Sequence, residues 1–152
     1  MNYNVLFYTV RLGNNALSEF ELFDDKDFTN HAKEIEILYN AIDAIQIKGA
    51  KSFFFKDESN ANALPIVPTA IINANKLDYG LRLYCIRLTD NLVVLLNGAI
   101  KTYKNPLLCK NVQKHFKNAL KIATKLDTLR FEKDINFLKI NCLTGLEFEI
   151  WN

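Results

Sequence analysis

The chain has 152 residues, of which 49% are hydrophobic, with eleven Phe and six Tyr, so it is long enough to bury a core as one domain and too apolar to be disordered. Its net charge of +2 divides unevenly: residues 1–60 hold six Lys and Arg against ten Asp and Glu, and residues 61–152 hold thirteen against seven. This division argues against indiscriminate binding of polyanions and directs the second half toward an anionic partner such as RNA. No uncharged apolar run reaches the ~18 residues of a membrane span. Met1–Val10 lacks the basic flank and cleavage site of a signal peptide, so the expected location is cytoplasmic, with no membrane partner. Cys85, Cys109 and Cys142 are odd in number and show no CxxC spacing, and His31 and His115 are far apart with no clustered acids. Reduced, structural cysteines are expected, with no metal and no small-molecule cofactor.

In chain order, Tyr3–Val10 is β-branched and aromatic, "LGNN" supplies turn residues, and Leu17–Phe23 alternates apolar with polar, which predicts a hairpin. From Asp24 to Ala50 the residues Phe28, Ala32, Ile35, Leu38, Tyr39, Ile42 and Ile45 recur at helical spacing and the run stops at Gly49, which predicts a helix. Asp57–Tyr79 holds Asn, Ser and two of the three Pro residues and reads as a long loop around "ALPIVP". The segments 81–88 and 92–101 around "TDN" predict the clearest hairpin of the chain. A helix is predicted from about Leu107 to Leu129, and "NFLKI" and "LEFEIW" read as closing strands.

If Asp90 and Asn91 are the central turn residues, Thr89 pairs with Leu92, Arg82 faces Ala99 and Tyr84 faces Asn97. One face then carries Leu88, Ile86, Tyr84, Arg82, Val93, Leu95, Asn97, Ala99 and Lys101, and the other carries Leu81, Leu83, Cys85, Leu96, Gly98 and Ile100. Two cations and a phenol at one end of a sheet face could hold a phosphate and pass a proton or stack on a base. The structural alternative is that Arg82 and Lys101 pair with acids while Tyr84 lies at the core edge.

Seven lysines and no acid occupy residues 101–125. Lys110, Lys114, Lys117, Lys121 and Lys125 fall at helical spacing opposite Val112, Phe116, Ala119, Leu120 and Ala123, which a solvated amphipathic face already explains. The single sign of charge is what solvation leaves unexplained, and it suits RNA phosphates or an acidic protein segment. His115, in this helix, reads as a surface residue rather than a base.

The stretch "LRLYCIRLTDNLVVLLNGAIKTYKNP", followed by "KNALKIATKLD", resembles the RelE/ParE superfamily of toxin-antitoxin proteins, in particular its HigB-like branch. The shared order is an Arg-bearing strand, a turn, an apolar strand ending in an "LLNG"-type basic run, and a Lys-rich helix; "FFFKDESNANALPI" resembles the segment that precedes them. The resemblance covers about residues 51–129. It leaves residues 1–50 as an N-terminal extension of hairpin plus helix within a single domain of residues 1–152.

The resemblance implies an α+β, RelE-like fold: an antiparallel sheet with a packed helix before the central hairpin and the Lys-rich helix after it. It implies a metal-independent, ribosome-dependent mRNA endonuclease, partnered by a cognate antitoxin, the ribosome and mRNA. Such cleavage needs a base for the 2′-hydroxyl proton, cations for the phosphate and an acid for the leaving 5′-oxygen. On matching positions Arg82 and Lys101 become the phosphate-stabilising pair, and Tyr84 and Tyr103 the candidates for proton transfer or stacking. Lys104, Lys110, Lys114, Lys117 and Lys121 become the RNA-binding residues. The alternative on the same scaffold is a non-catalytic binding module or a ParE-like topoisomerase inhibitor.

Overall fold

The computed structural model describes residues 4–65, 79–139 and 141–150. In chain order it contains β1 (Leu6–Tyr8), α1 (Glu19–Asp24), α2 (Ala32–Lys48), β2 (Lys56–Glu58), β3 (Ala61–Leu64), β4 (Gly80–Thr89), β5 (Leu92–Lys101) and α3 (Gln113–Glu132). Short 3-10 turns lie at Thr29–His31, Ser52–Phe54 and Pro106–Leu108. The five strands form one sheet in the order β1-β5-β4-β3-β2. The fold is α+β, but the sheet is mixed rather than antiparallel. β2 to β5 form an antiparallel meander, and β1 lies parallel to β5 over Leu6–Tyr8. A parallel neighbour needs a long connection, which α1, α2 and the meander supply.

Leu81 to Ile86 and Leu92 to Gly98 are all buried, so the central hairpin is covered on both faces. On one face Leu81, Leu83, Cys85, Val93 and Leu95 pack with Phe23, Leu38, Ile45 and Phe55. On the other, Tyr84, Ile86, Val94 and Leu96 pack with Phe116, Ala119, Ile122 and Leu126 of α3. Residues buried on both sides lose the alternation of polar with apolar, which is why these strands read as near-continuous apolar runs.

The expected register holds at both ends of the hairpin, with Thr89 opposite Leu92 and Arg82 opposite Ala99. Between them lie two irregularities, at Leu83/Cys85 and Arg87/Thr89, and the pairing there slips to Cys85↔Leu95 and Ile86↔Val94. A one-residue slip reverses the faces. Val93 and Leu95 therefore join Leu83, Leu96 joins Tyr84, and the expected Tyr84–Asn97 pairing is lost. Arg87 anchors the turn end, bonding to Asp90 and donating through Nε to Ala50 O at 2.5 Å.

Three other expectations change. Leu17–Phe23 is the start of a helix, not a strand: the Ser18 hydroxyl accepts from Glu21 N–H, and the Glu21 carboxylate accepts from Ser18 N–H. That reciprocal cap contributes about 1 kcal/mol, and helical spacing sets Phe20 beside Phe23 with ring centroids 6.1 Å apart. The loop expected from Asp57 contains the β2–β3 hairpin, turned at Ser59 with φ 60°. The rest of that loop, residues 66–78, lies outside the described residues. The described parts of "NFLKI" and "LEFEIW" form no strand; Phe137, with Leu143 between the two segments, is buried in the core beneath α3. Ile140 and Trp151 lie outside the described residues. Among the described residues, no helix is long and apolar enough to cross a membrane.

Candidate functional site

The residues singled out in the sequence separate into a surface set and a buried set. Tyr103 is 57% exposed, Lys104, Lys110, Lys114 and Lys117 are exposed, and Lys121 and Lys125 are half-buried. Leu107 and Leu108 are exposed beside them, so the segment between β5 and α3 presents an aromatic ring and aliphatic side chains among lysines. On α3 the lysines at 114, 117, 121 and 125 lie opposite Phe116, Ala119, Ile122, Ala123, Leu126 and Leu129, all buried. A row of cations with an exposed ring at one end can track phosphates and stack a base.

Arg82, Tyr84 and Lys101 do share a sheet face, as expected, but that face is the one α3 covers. Arg82 and Tyr84 are 0% exposed and Lys101 is 2% exposed, which contradicts the expectation of an open catalytic surface. The Tyr84 ring lies against Phe116, centroids 5.7 Å apart. Burial, reinforced by the Glu58 carboxylate, pushes the Tyr84 phenol well above its ordinary range although Arg82 acts the other way. The phenol is therefore held protonated, and its hydroxyl has no hydrogen-bond partner among the described residues. Arg82 Nη1 donates to Leu81 O at 2.9 Å. Lys101 and Thr102 form part of the wall of an open cavity of about 670 Å³ that also includes His31, Glu34 and Tyr79. The physical reason for the reversal is α3 itself: its six buried residues need an apolar floor, and the floor is the face that carries Tyr84.

A polar cluster that the sequence did not announce lies at the flank of β5. β1 pairs with β5 only as far as Val94, and beyond that α1 and the turn after it meet the strand. There Lys26 Nζ donates to Asn97 Oδ1 at 2.9 Å and to Gly98 O at 2.5 Å, and lies 3.1 Å from His115 Nε2. Burial lowers the Lys26 ammonium, partly offset by Glu19. Burial likewise raises Glu19, with Lys114, Lys26 and Asn97 pulling it back. His115 is lowered to about 4, by burial first and then by the charges of Lys26 and Lys114. His115 is thus a neutral, half-buried group rather than a surface residue.

The "NG" of this region has two separate jobs. Asn97 Oδ1 receives both Lys26 and the Gly98 N–H, the latter at 2.8 Å. Gly98 is required because a Cβ there would stand 1.8 Å from Arg82 O across the hairpin. His115 is 89 residues from Lys26, so no local pattern could have brought it to Lys26 and Glu19 before the fold was known.

Among the described residues no group of three or more His, Cys, Asp or Glu could hold a metal ion. Searches for similar proteins found no match to the chain among protein-family models, curated proteins or solved structures.

Proposed function

We propose that the protein is a RelE/ParE-like toxin of the HigB-like branch that acts in the cytoplasm on the ribosome and its mRNA and is held in check by a cognate antitoxin. It engages RNA through Tyr103, Lys104, Lys110 and the lysines of α3, not through Arg82, Tyr84 and Lys101. The observation that carries this reading is the exposed, single-signed row of Lys114 and Lys117, continued by Lys121 and Lys125, on the side of α3 opposite its buried face. A helix needs solvated residues there, but needs no uniform sign, and in water like charges at this spacing repel. A polyanion reverses that cost.

Of the two ways such a toxin could act, arrest by binding alone is favoured, because Arg82 and Tyr84 are 0% exposed and Lys101 only 2%, which leaves the three without a common open surface for a scissile phosphate. Cleavage of translated mRNA is the second reading, supported by the common face that Arg82, Tyr84 and Lys101 share behind the basic loop. Induced expression, with primer extension on a translated reporter mRNA, tests both. Growth arrest without cuts, coupled to salt-sensitive ribosome binding, supports the first; cuts that require translation support the second. Absence of both arrest and salt-sensitive RNA binding removes the toxin reading altogether.

A further inference from the structure

His31 and Glu34 form a pair at the start of α2. A carboxylate can only accept, so the His31 imidazole donates through Nδ1 to Glu34 Oε2, at 3.1 Å. The same oxygen accepts the Leu81 N–H of β4 at 3.2 Å. A Glu three residues after the residue that caps a helix ordinarily reaches back to that residue's N–H. Here the His31 N–H donates to Phe28 O at 2.8 Å instead, and the Glu34 carboxylate is left to join the imidazole to the sheet. Glu34 is buried and tied to a second element, so it holds the ring in one orientation and one tautomer. With Nδ1 engaged as a donor, Nε2 carries the lone pair. Nε2 has no hydrogen-bond partner among the described residues, and the His31 side chain keeps 39% of its surface exposed.

The cavity beside the pair indicates what Nε2 meets. His31 lines the open space of about 670 Å³ between the 29–31 turn and the end of β5, with Lys33, Tyr79, Lys101 and Thr102 in the same wall. A second open cavity, of about 490 Å³, shares the 29–31 turn with it and reaches Asn111, the neighbour of Lys110. Together they form a trough that runs from the pair to the basic segment bearing Tyr103, Lys104 and Lys110. Among the described residues Lys26, Lys33 and Lys101 line this trough against the acids Asp27 and Glu34, so its wall is positive in sum. Both acids are turned to donors of the protein, Asp27 to the Thr29 N–H at 2.9 Å and Glu34 to His31 and Leu81. Such a wall suits a ligand with phosphate groups, and its continuity with the lysine face points to RNA.

We propose that His31 and Glu34 are an acid–base dyad for cutting RNA, with His31 the catalytic base, Glu34 its positioning residue, and Lys33 and Lys101 the cations that hold the scissile phosphate. Such a site rests on the cleavage reading above and supplies the exposed acid–base group that the covered face of Tyr84 lacks. His31 Nε2 takes the 2′-hydroxyl proton as the 2′-oxygen attacks phosphorus and a P–O2′ bond forms. The P–O5′ bond breaks, and the 5′-oxygen leaves with its electron pair and takes a proton from water. The hydroxide so formed receives the proton of the imidazolium, which restores His31. The products are a 2′,3′-cyclic phosphate and a 5′-hydroxyl, and the two lysines offset the charge that builds on the phosphate oxygens during the exchange.

The test uses the full chain with two probes, a labelled single-stranded RNA and ribosomes translating a reporter mRNA. Fragments that end in a 2′,3′-cyclic phosphate are expected from at least one of them, and a 2′-deoxy residue at the cut should prevent it. His31→Ala should slow cleavage by about 10²- to 10⁴-fold, the usual contribution of a general base, while RNA affinity stays unchanged. Added imidazole should restore part of that rate, which it would not do for a folding defect. Glu34→Gln should also slow the cut without weakening RNA binding, and its melting temperature separates lost orientation from lost structure. RNA binding with no cyclic phosphate from either probe overturns the dyad and leaves the binding reading standing. Cleavage undiminished in His31→Ala overturns the dyad and leaves the cleavage reading standing, and failure to bind either probe removes both.

Discussion

Lys26 Nζ lies 3.1 Å from His115 Nε2, joining residues 89 positions apart and tying the turn after α1 to α3 around the flank of β5. The same ammonium satisfies Gly98 O and Asn97 Oδ1. This contact closes the stretch of β5 that β1 leaves unpaired, and an exposed strand flank is a template for unwanted pairing. Lys26→Met should therefore lower stability by about 1–3 kcal/mol, the cost of leaving partly buried acceptors unsatisfied. Urea unfolding with an unchanged m-value is the check, and an increase in self-association should accompany it.

The His115 ring gives the protein an acid limb. Its folded value of about 4 lies below the ordinary 6.5, so between those pH values the unfolded chain holds a proton that the folded chain does not. Stability therefore falls as pH drops from about 6.5 to 4, by on the order of 1–2 kcal/mol once partial exposure is allowed for. Glu19, raised above its ordinary 4.5, acts in the opposite sense just above that pH, and Lys26 and Lys114 are the other charges facing the ring. The contrast between the native chain and His115→Gln isolates the histidine. If the two have parallel stability profiles over this window, the assignment is wrong.

At Gly98 any side chain meets Arg82 O. Gly98→Ala should cost about 3 kcal/mol or more, because the obstacle is backbone in a doubly covered hairpin and cannot swing aside. Thermal and urea unfolding measure it, and Gly13→Ala is the contrast, where nothing lies within 4 Å of the added atom and only a positive φ of 57° opposes it.

Arg82 bears on how loss-of-function data are interpreted. A 0% exposed guanidinium that donates to Leu81 O is part of the packing, so Arg82→Ala should lower stability by about 2–4 kcal/mol. Relief of growth arrest in that variant would then reflect less folded protein. Soluble yield and melting temperature must be measured with activity; a variant of native stability that is inactive would restore Arg82 as a direct participant.

The surface lysines should behave in the opposite way. Lys110→Ala and Lys117→Ala, both at exposed positions, should each change stability by no more than about 0.5 kcal/mol. Each should reduce the salt dependence of RNA binding by roughly 0.7 in the log-log slope, the value for one phosphate contact on a single strand. Titration of a single-stranded RNA at several salt concentrations decides it, and a slope unchanged by either substitution would falsify the assignment of this face.

The sequence alone determined what depends on neighbours in the chain. The Asp90–Asn91 turn, the long apolar runs of β4 and β5, the periodic apolar stripe of α2 and the one-sided lysines of α3 follow from local chemistry, and each is present in the fold. Leu17–Phe23 shows the limit of that reading, since its alternation suits a strand and its Ser18–Glu21 cap suits a helix, and only the seat for Phe23 against the sheet decides between them. Tertiary structure decided everything that depends on which surface is covered. A strand's alternation assigns residues to faces but cannot say that both faces are buried, so Arg82, Tyr84 and Lys101 could share a face and still lie beneath a helix contributed later in the chain. Likewise Glu19, Lys26 and His115 acquire their altered proton affinities only when α1 with the turn after it, β5 and α3 meet, because desolvation and charge proximity are properties of the packed neighbourhood and not of the residue types.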